Sequence, residues 1–178
     1  MALKSTIFRA ELEVSDLDRG HFGTHLLTLA RHPSETDERM MVRLLAFALN
    51  ADEALEFGRG LSAEDEPDLV QRDLTGAIEL WIEVGLPGER EIRKAAGRAR
   101  AVKVYAYGAR SAALWWAQNG EALAKLKNAS VLEVTAETCE VLKRFAARNM
   151  KLSCTIQEGH AWLASGDETL SVELRAFE

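Results

Sequence analysis

The chain is poor in cysteine: only Cys139 and Cys154 occur among 178 residues. Two cysteines cannot build a disulfide framework, and theirs is not the spacing of a metal site. With Cys139 in a helical stretch and Cys154 on an apolar strand face, both read as packing residues. No uninterrupted apolar segment approaches the ~18 residues of a membrane-spanning helix. The opening Met1-Ala2-Leu3-Lys4 soon alternates instead of forming a signal-peptide core. A soluble, cytoplasmic protein with no membrane partner is the expectation. His21, His25, His32 and His160 form no HExxH or clustered pattern, which argues against a zinc hydrolase. GxGxxG and Walker A motifs are missing too, and Gly58-Arg59-Gly60 is too short to imply phosphate binding. Charge is moderate: the net value of -6 argues against a general nucleic-acid binder, because phosphate contacts rest on Lys and Arg.

What is present is a patterned globular chain. Thr6, Phe8, Ala10, Leu12 and Val14 alternate with Ile7, Arg9, Glu11 and Glu13, predicting a strand. A turn over 15–20 and a return strand over 22–30 complete a hairpin. Pro33 and Ser34 open a helix that Ser34 can cap, and Glu35, Asp37 and Glu38 suit its positive end. Met41, Leu44, Leu45 and Ala48 supply its apolar stripe, which runs to about Asn50. A short strand follows at 54–57, and Leu69-Val70 begins either another strand or a single helical turn.

A strand at 77–84, a turn at 85–88, a helix over 89–100 and a strand over 101–107 have the size of a βαβ crossover, so the two strands should be parallel. Helices are expected at 111–126, packing through Leu114, Trp115 and Trp116, and at 136–147, with a short strand at 131–134 between them. Alternation resumes at Met150, Leu152, Cys154 and Ile156, again at 161–164, and from Leu170 to Ala176. The fold class is mixed α/β: a mixed sheet with a βαβ centre and antiparallel additions from both termini.

Within this frame two acidic positions stand out. In Glu79-Leu80-Trp81-Ile82-Glu83-Val84-Gly85, strand periodicity points Glu83 away from Leu80, Ile82 and Val84. A carboxylate beside a largely apolar strand is costly without a partner. That partner could be a divalent cation shared with Asp68 of Glu66-Pro67-Asp68, or an ion pair with Arg43, Arg93 or Lys103. The helix over 89–100 would place Arg90, Lys94 and Arg98 on one face. This is a basic stripe toward nucleic acid or simply a solvated face.

Three separated segments, in order, carry a resemblance: His32-Pro33-Ser34-Glu35-Thr36-Asp37-Glu38-Arg39-Met40-Met41, then Asp65-Glu66-Pro67-Asp68, then Trp81-Ile82-Glu83-Val84-Gly85-Leu86-Pro87. Over essentially its whole length, 1–178, the chain resembles the YaeQ family of bacterial proteins. That resemblance implies a variation on the PD-(D/E)xK, restriction-endonuclease-like architecture in a single domain. In that pattern Pro67-Asp68 matches the "PD" element and Glu83 the "(D/E)" element, so Asp68 and Glu83 would hold Mg²⁺, with Glu38 as a third acid. The metal would activate water and stabilise charge on a scissile phosphate. The lysine of the pattern is missing, since Gly85 stands two residues after Glu83. Lys94, then Arg93, are the candidates to replace it. The implied activity is a Mg²⁺-dependent phosphodiesterase or nuclease acting on nucleic acid. The alternative is a catalytically inactive nucleic-acid- or protein-binding module.

Overall fold

The computed structural model describes residues 4–59 and 65–177. The N-terminal alternation becomes a hairpin of two long strands, β1 Thr6–Asp16 and β2 His21–Arg31, in register from Thr6 opposite Arg31 to Asp16 opposite His21. Helix α1 spans Asp37–Leu49. Then come β3 Leu55–Phe57, β4 Leu69–Arg72, β5 Ile78–Val84, α2 Glu89–Arg98, β6 Ala99–Ala106 and α3 Arg110–Ala124. The chain closes with β7 Ala129–Val134, α4 Ala136–Phe145, β8 Asn149–Gln157, β9 His160–Ser165, β10 Glu168–Val172 and β11 Leu174–Arg175.

The expected βαβ unit is there: β5 and β6 pair in parallel, with α2 between them. The expectation of one sheet is corrected. The described residues form two mixed sheets and four helices, with strand order β10-β9-β8-β1-β2 in one sheet and β11-β7-β6-β5-β4-β3 in the other. Of the terminal strands only the short β11 therefore extends the βαβ sheet; β1, β2, β8, β9 and β10 form the other. β1 runs parallel to β8, with Leu12 opposite Leu152 and Val14 opposite Cys154. Alternation reveals which face of a strand is apolar, not which strand lies beside it.

Helix α1 explains why two sheets are needed. All nine residues from Met40 to Ala48 are buried, so the helix is enclosed on every side instead of showing the single stripe expected. A helix apolar nearly all round belongs in a core. Its side chains join the inner faces of β1, β2 and β8 to Leu69, Ile82 and Val84 in one hydrophobic cluster. The opposite face of the second sheet packs Ile78, Trp81, Val102 and Val104 with Ile92, Ala95, Trp115 and Leu123 of α2 and α3. Leu114, expected in that packing surface, is 57 % exposed.

Enclosure obliges the ends of α1 to be satisfied by tertiary partners. At its start Thr36 is the cap, accepting from the Arg39 amide at 3.1 Å. Ser34, the expected cap, instead meets His32 Nδ1 at 2.6 Å. At the other end Asn50 Nδ2 donates to Ala46 O at 2.8 Å and Arg19 donates to Ala51 O at 2.9 Å. Lys103 Nζ reaches Asn50 Oδ1 at 2.6 Å, placing a cation where the helix dipole is negative.

The C-terminal alternation also divides. β10 pairs with β9 in the first sheet, whereas β11 crosses to β7 in the second. The Thr135 amide donates to Glu173 O at 3.3 Å where the chain changes sheet.

Candidate functional site

The site is built where α1, the loop before β4, the end of β5 and α2 meet. Glu83 lies on β5 beside Trp81, on the face opposite Ile82 and Val84, as period-two geometry requires. The indole Nε1 of Trp81 donates to Glu83 Oε1 at 2.7 Å. Asp68 stands at the entrance to β4, whose Leu69 faces Ile82. Its stem is tightly closed: Gly58 N donates to Asp68 O at 2.9 Å, and a Cβ on Gly58 would lie 2.0 Å from Pro67 O. Only glycine fits there.

The two acids meet. Burial pushes the Glu83 carboxyl up to about 8 against an opposing bond from Trp81, and the nearby Asp68 charge and a hydrogen bond shared with Asp68 add to the rise. These causes favour the protonated form of Glu83 beside Asp68. One proton between two carboxyls solves the like-charge problem that the burial creates. None of the basic partners considered from the sequence pairs with Glu83. Arg43 bonds Glu35, Arg93 pairs with Glu89, and Lys103 faces Asn50.

Asp68 is anchored by a chain of charges. Its Oδ2 accepts from the Val84 amide at 2.8 Å and its Oδ1 from Arg39 Nη2 at 2.8 Å. Arg39 also donates to Glu35 Oε2 at 2.7 Å. Glu35 accepts twice from Arg43, at 2.7 and 2.9 Å. Glu35 and Arg39 escaped the functional reading of the sequence, and Arg43 entered it only as a possible partner of Glu83. The i, i+4 spacing of Arg39 and Arg43 in α1, with Glu35 just ahead of the helix cap, was the available signal, Arg43 being conspicuous between Val42 and Leu44.

These groups open onto a cleft of about 740 Å³, lined among others by Arg39, Asp65, Glu66, Asp68, Glu83, Glu91, Lys94 and Arg98. Asp68, Glu83 and Lys94 thus share one cavity. Glu38 does not line it: its carboxylate lies 3.8 Å from Lys143 Nζ on α4. Among the described residues no group of three or more His, Cys, Asp or Glu converges on one point. Lys94 Nζ is 3.1 Å from Asp65 Oδ1, and the Arg98 guanidinium lies 4.9 Å above the Trp81 ring. Arg90 does not line the cleft, so the basic face of α2 contributes two of its three charges. The position expected of the lysine has a backbone reason to be glycine. Gly85 sits at φ +105° just past the strand, a conformation that strains any L side chain.

The match to known proteins is of full length. The YaeQ protein family model covers residues 1–174. The chain belongs to the YaeQ family. The uncharacterised protein YaeQ of Salmonella typhi is 49 % identical over 178 residues, covering 100 % of this chain and 98 % of that protein. Its counterpart in Escherichia coli strain K12 is 48 % identical over the same span, with the same coverage. Among solved structures, the YaeQ protein from Xanthomonas axonopodis pv. citri superposes with a TM-score of 0.92 at 45 % identity, covering 97 % of each chain. YaeQ from Pseudomonas syringae gives 0.92 at 38 % identity, covering 98 % of this chain and 96 % of that one. The mixed architecture of two sheets around a buried helix is therefore that of YaeQ proteins. No helix among the described residues is long and apolar enough to cross a membrane.

Proposed function

We propose that this YaeQ protein has a restriction-endonuclease-like core and that its cleft is a divalent-cation site for phosphodiester chemistry on nucleic acid. The observation that carries the reading is the meeting of Asp68 and Glu83 in a cleft that also holds Lys94. The donor set suits Mg²⁺, which is commonly held by one or two carboxylates, with water and substrate phosphate completing its shell. Arg39, Val84 and Trp81 each occupy one direction on a carboxyl oxygen. An ionised carboxyl oxygen keeps a second lone pair. When bound, the cation would supply Lewis-acid stabilisation and a more acidic water.

The protein's own contributions are distinct. Arg39 and the Val84 amide hold Asp68 in one orientation, so a cation would meet a pre-set ligand. Glu83, once ionised, would be the second carboxylate available to hold the cation. Lys94 is the mobile cation available to a phosphate, in place of a lysine at position 85.

A second reading is favoured by one observation: both Asp68 oxygens already serve the scaffold. On that reading the cleft binds nucleic acid or protein without cleaving it. Calorimetry with Mg²⁺ or Mn²⁺ separates the two. Binding that disappears in both Asp68→Asn and Glu83→Gln is the result expected of a metal site. No heat at millimolar metal, or binding unaltered in both variants, eliminates the cation and leaves the binding module. Where metal binds, cleavage of single- and double-stranded substrates with Lys94→Ala as control tests the chemistry.

A further inference from the structure

The geometry points to Lys94 and Arg98 as a phosphate subsite of the cleft that Asp65 occupies as an internal substitute for the anion. This rests on the reading of the cleft as a phosphodiester site, and assigns the groups that would receive the phosphate and the contact that must yield to it. Lys94 and Arg98 lie one turn apart on α2, and both turn to the same residue. Lys94 Nζ meets the Asp65 carboxylate at 3.1 Å, and Arg98 Nη1 donates to Asp65 O at 3.3 Å. Arg98 is held in place from its other side by the Trp81 ring at 4.9 Å. Its position is thus set independently of Asp65, as a preformed anion subsite requires. Asp65 itself sits at φ +61°, a left-handed conformation that Asp tolerates better than most residues.

The contact is built to be exchanged. The Lys94 and Asp65 side chains are 54 % and 59 % exposed, and exposed ion pairs of this kind are weak. By contrast, the Arg39–Asp68 pair deeper in the cleft is 15 % and 7 % exposed. A phosphate entering the cleft would bring acceptor oxygens to both cations, where Asp65 offers a carboxylate to one and a carbonyl to the other. The gain is at Arg98, which would exchange a neutral carbonyl for an ionised acceptor. Asp65 competes for the same donors, so it lowers anion affinity and keeps the subsite closed to weaker ligands.

A double-mutant cycle tests this without metal. Binding of fluorescein-labelled hexathymidylate is followed by anisotropy in EDTA at fixed ionic strength. The proteins are wild type, Asp65→Asn, Lys94→Ala/Arg98→Ala and the triple variant, each checked for an intact thermal transition. Asp65→Asn should tighten binding about two- to fivefold and do so only when Lys94 and Arg98 are present. Inorganic phosphate should displace the probe better than chloride at equal ionic strength, which marks the phosphate group as the ligand. An unchanged affinity in Asp65→Asn overturns the proposal. So does equal tightening in the Lys94→Ala/Arg98→Ala background, which would be a general charge effect, or displacement by phosphate no better than by chloride. Loss of the cation site would appear only in the separate Mg²⁺ titration, so the two ideas fail in different experiments.

Discussion

Arg43 keeps its side chain at 2 % exposure in the middle of α1, with Glu35 equally enclosed. The pair is tolerable because Glu35 accepts two bonds from Arg43 and a third from Arg39. Removing one member leaves a buried charge without its partner, the costly case for internal ion pairs. Arg43→Ala should lower unfolding stability by about 3–5 kcal/mol in urea titrations; a loss below about 1 kcal/mol would show that the chain of charges contributes little. Glu83 sets a different dependence. Its folded-state value of about 8 lies above the ordinary 4.5, so between those limits the folded metal-free protein holds a proton that the unfolded chain has lost. Stability is fully present below about pH 4.5 and declines as pH rises towards 8, by at most about 1.4 kcal/mol per pH unit. Above 8 this contribution is level. Glu83→Gln cannot ionise and should flatten that decline, which thermal melts at pH 5, 7 and 9 would detect.

At the scale of the element, α1 shows how a correct periodicity can be tied to the wrong cap. Ser34 and Thr36 both have hydroxyls suited to capping, and local sequence does not rank them. The loop decides, because Ser34 is turned toward His32 and Thr36 faces the helix amides. Thr36→Ala should therefore cost about 1 kcal/mol, and Ser34→Ala much less, in matched chemical denaturation. The same helix explains why Glu38 left the acidic group. Arg39 and Arg43 both turn back to Glu35, just before the helix, whereas position 38 is turned toward α4 and Lys143. Strand β5 was more legible. Period two alone separated Glu83 and Trp81 from Ile82 and Val84, because a strand's two faces depend on nothing beyond the chain's own pleat.

Across the whole molecule, α1 binds the two sheets into one core. Leu12, Leu29, Leu44, Leu69 and Ile82 belong to a single buried cluster that crosses all three layers. Neither sheet can keep its inner face dry alone, so unfolding should be one cooperative event. Trp81, Trp115 and Trp116 lie in and around the second cluster, on the far face of the second sheet. With Trp162 of the first sheet replaced by Phe, their fluorescence and the far-UV circular dichroism should report the same urea midpoint. Separate midpoints would mean that the far face of the second sheet unfolds independently of the shared core.

By itself the sequence determined the local elements: the long hairpin, the helix after it, the βαβ unit and the face on which Glu83 emerges. Each follows from nearest-neighbour chemistry, from side-chain period, turn residues and backbone geometry. The resemblance to YaeQ proteins was also legible, carried by three short segments in order. Only the tertiary structure decided that β1, β2, β8, β9 and β10 form a sheet of their own, because β1 and β8 are joined by no short turn that would announce their pairing. It alone placed Arg39 on Asp68 and brought Asp68 and Glu83 into one cleft, since burial and distance across separate elements have no local signature. The tertiary structure likewise turned Glu38 away and set Lys94 and Arg98 against Asp65.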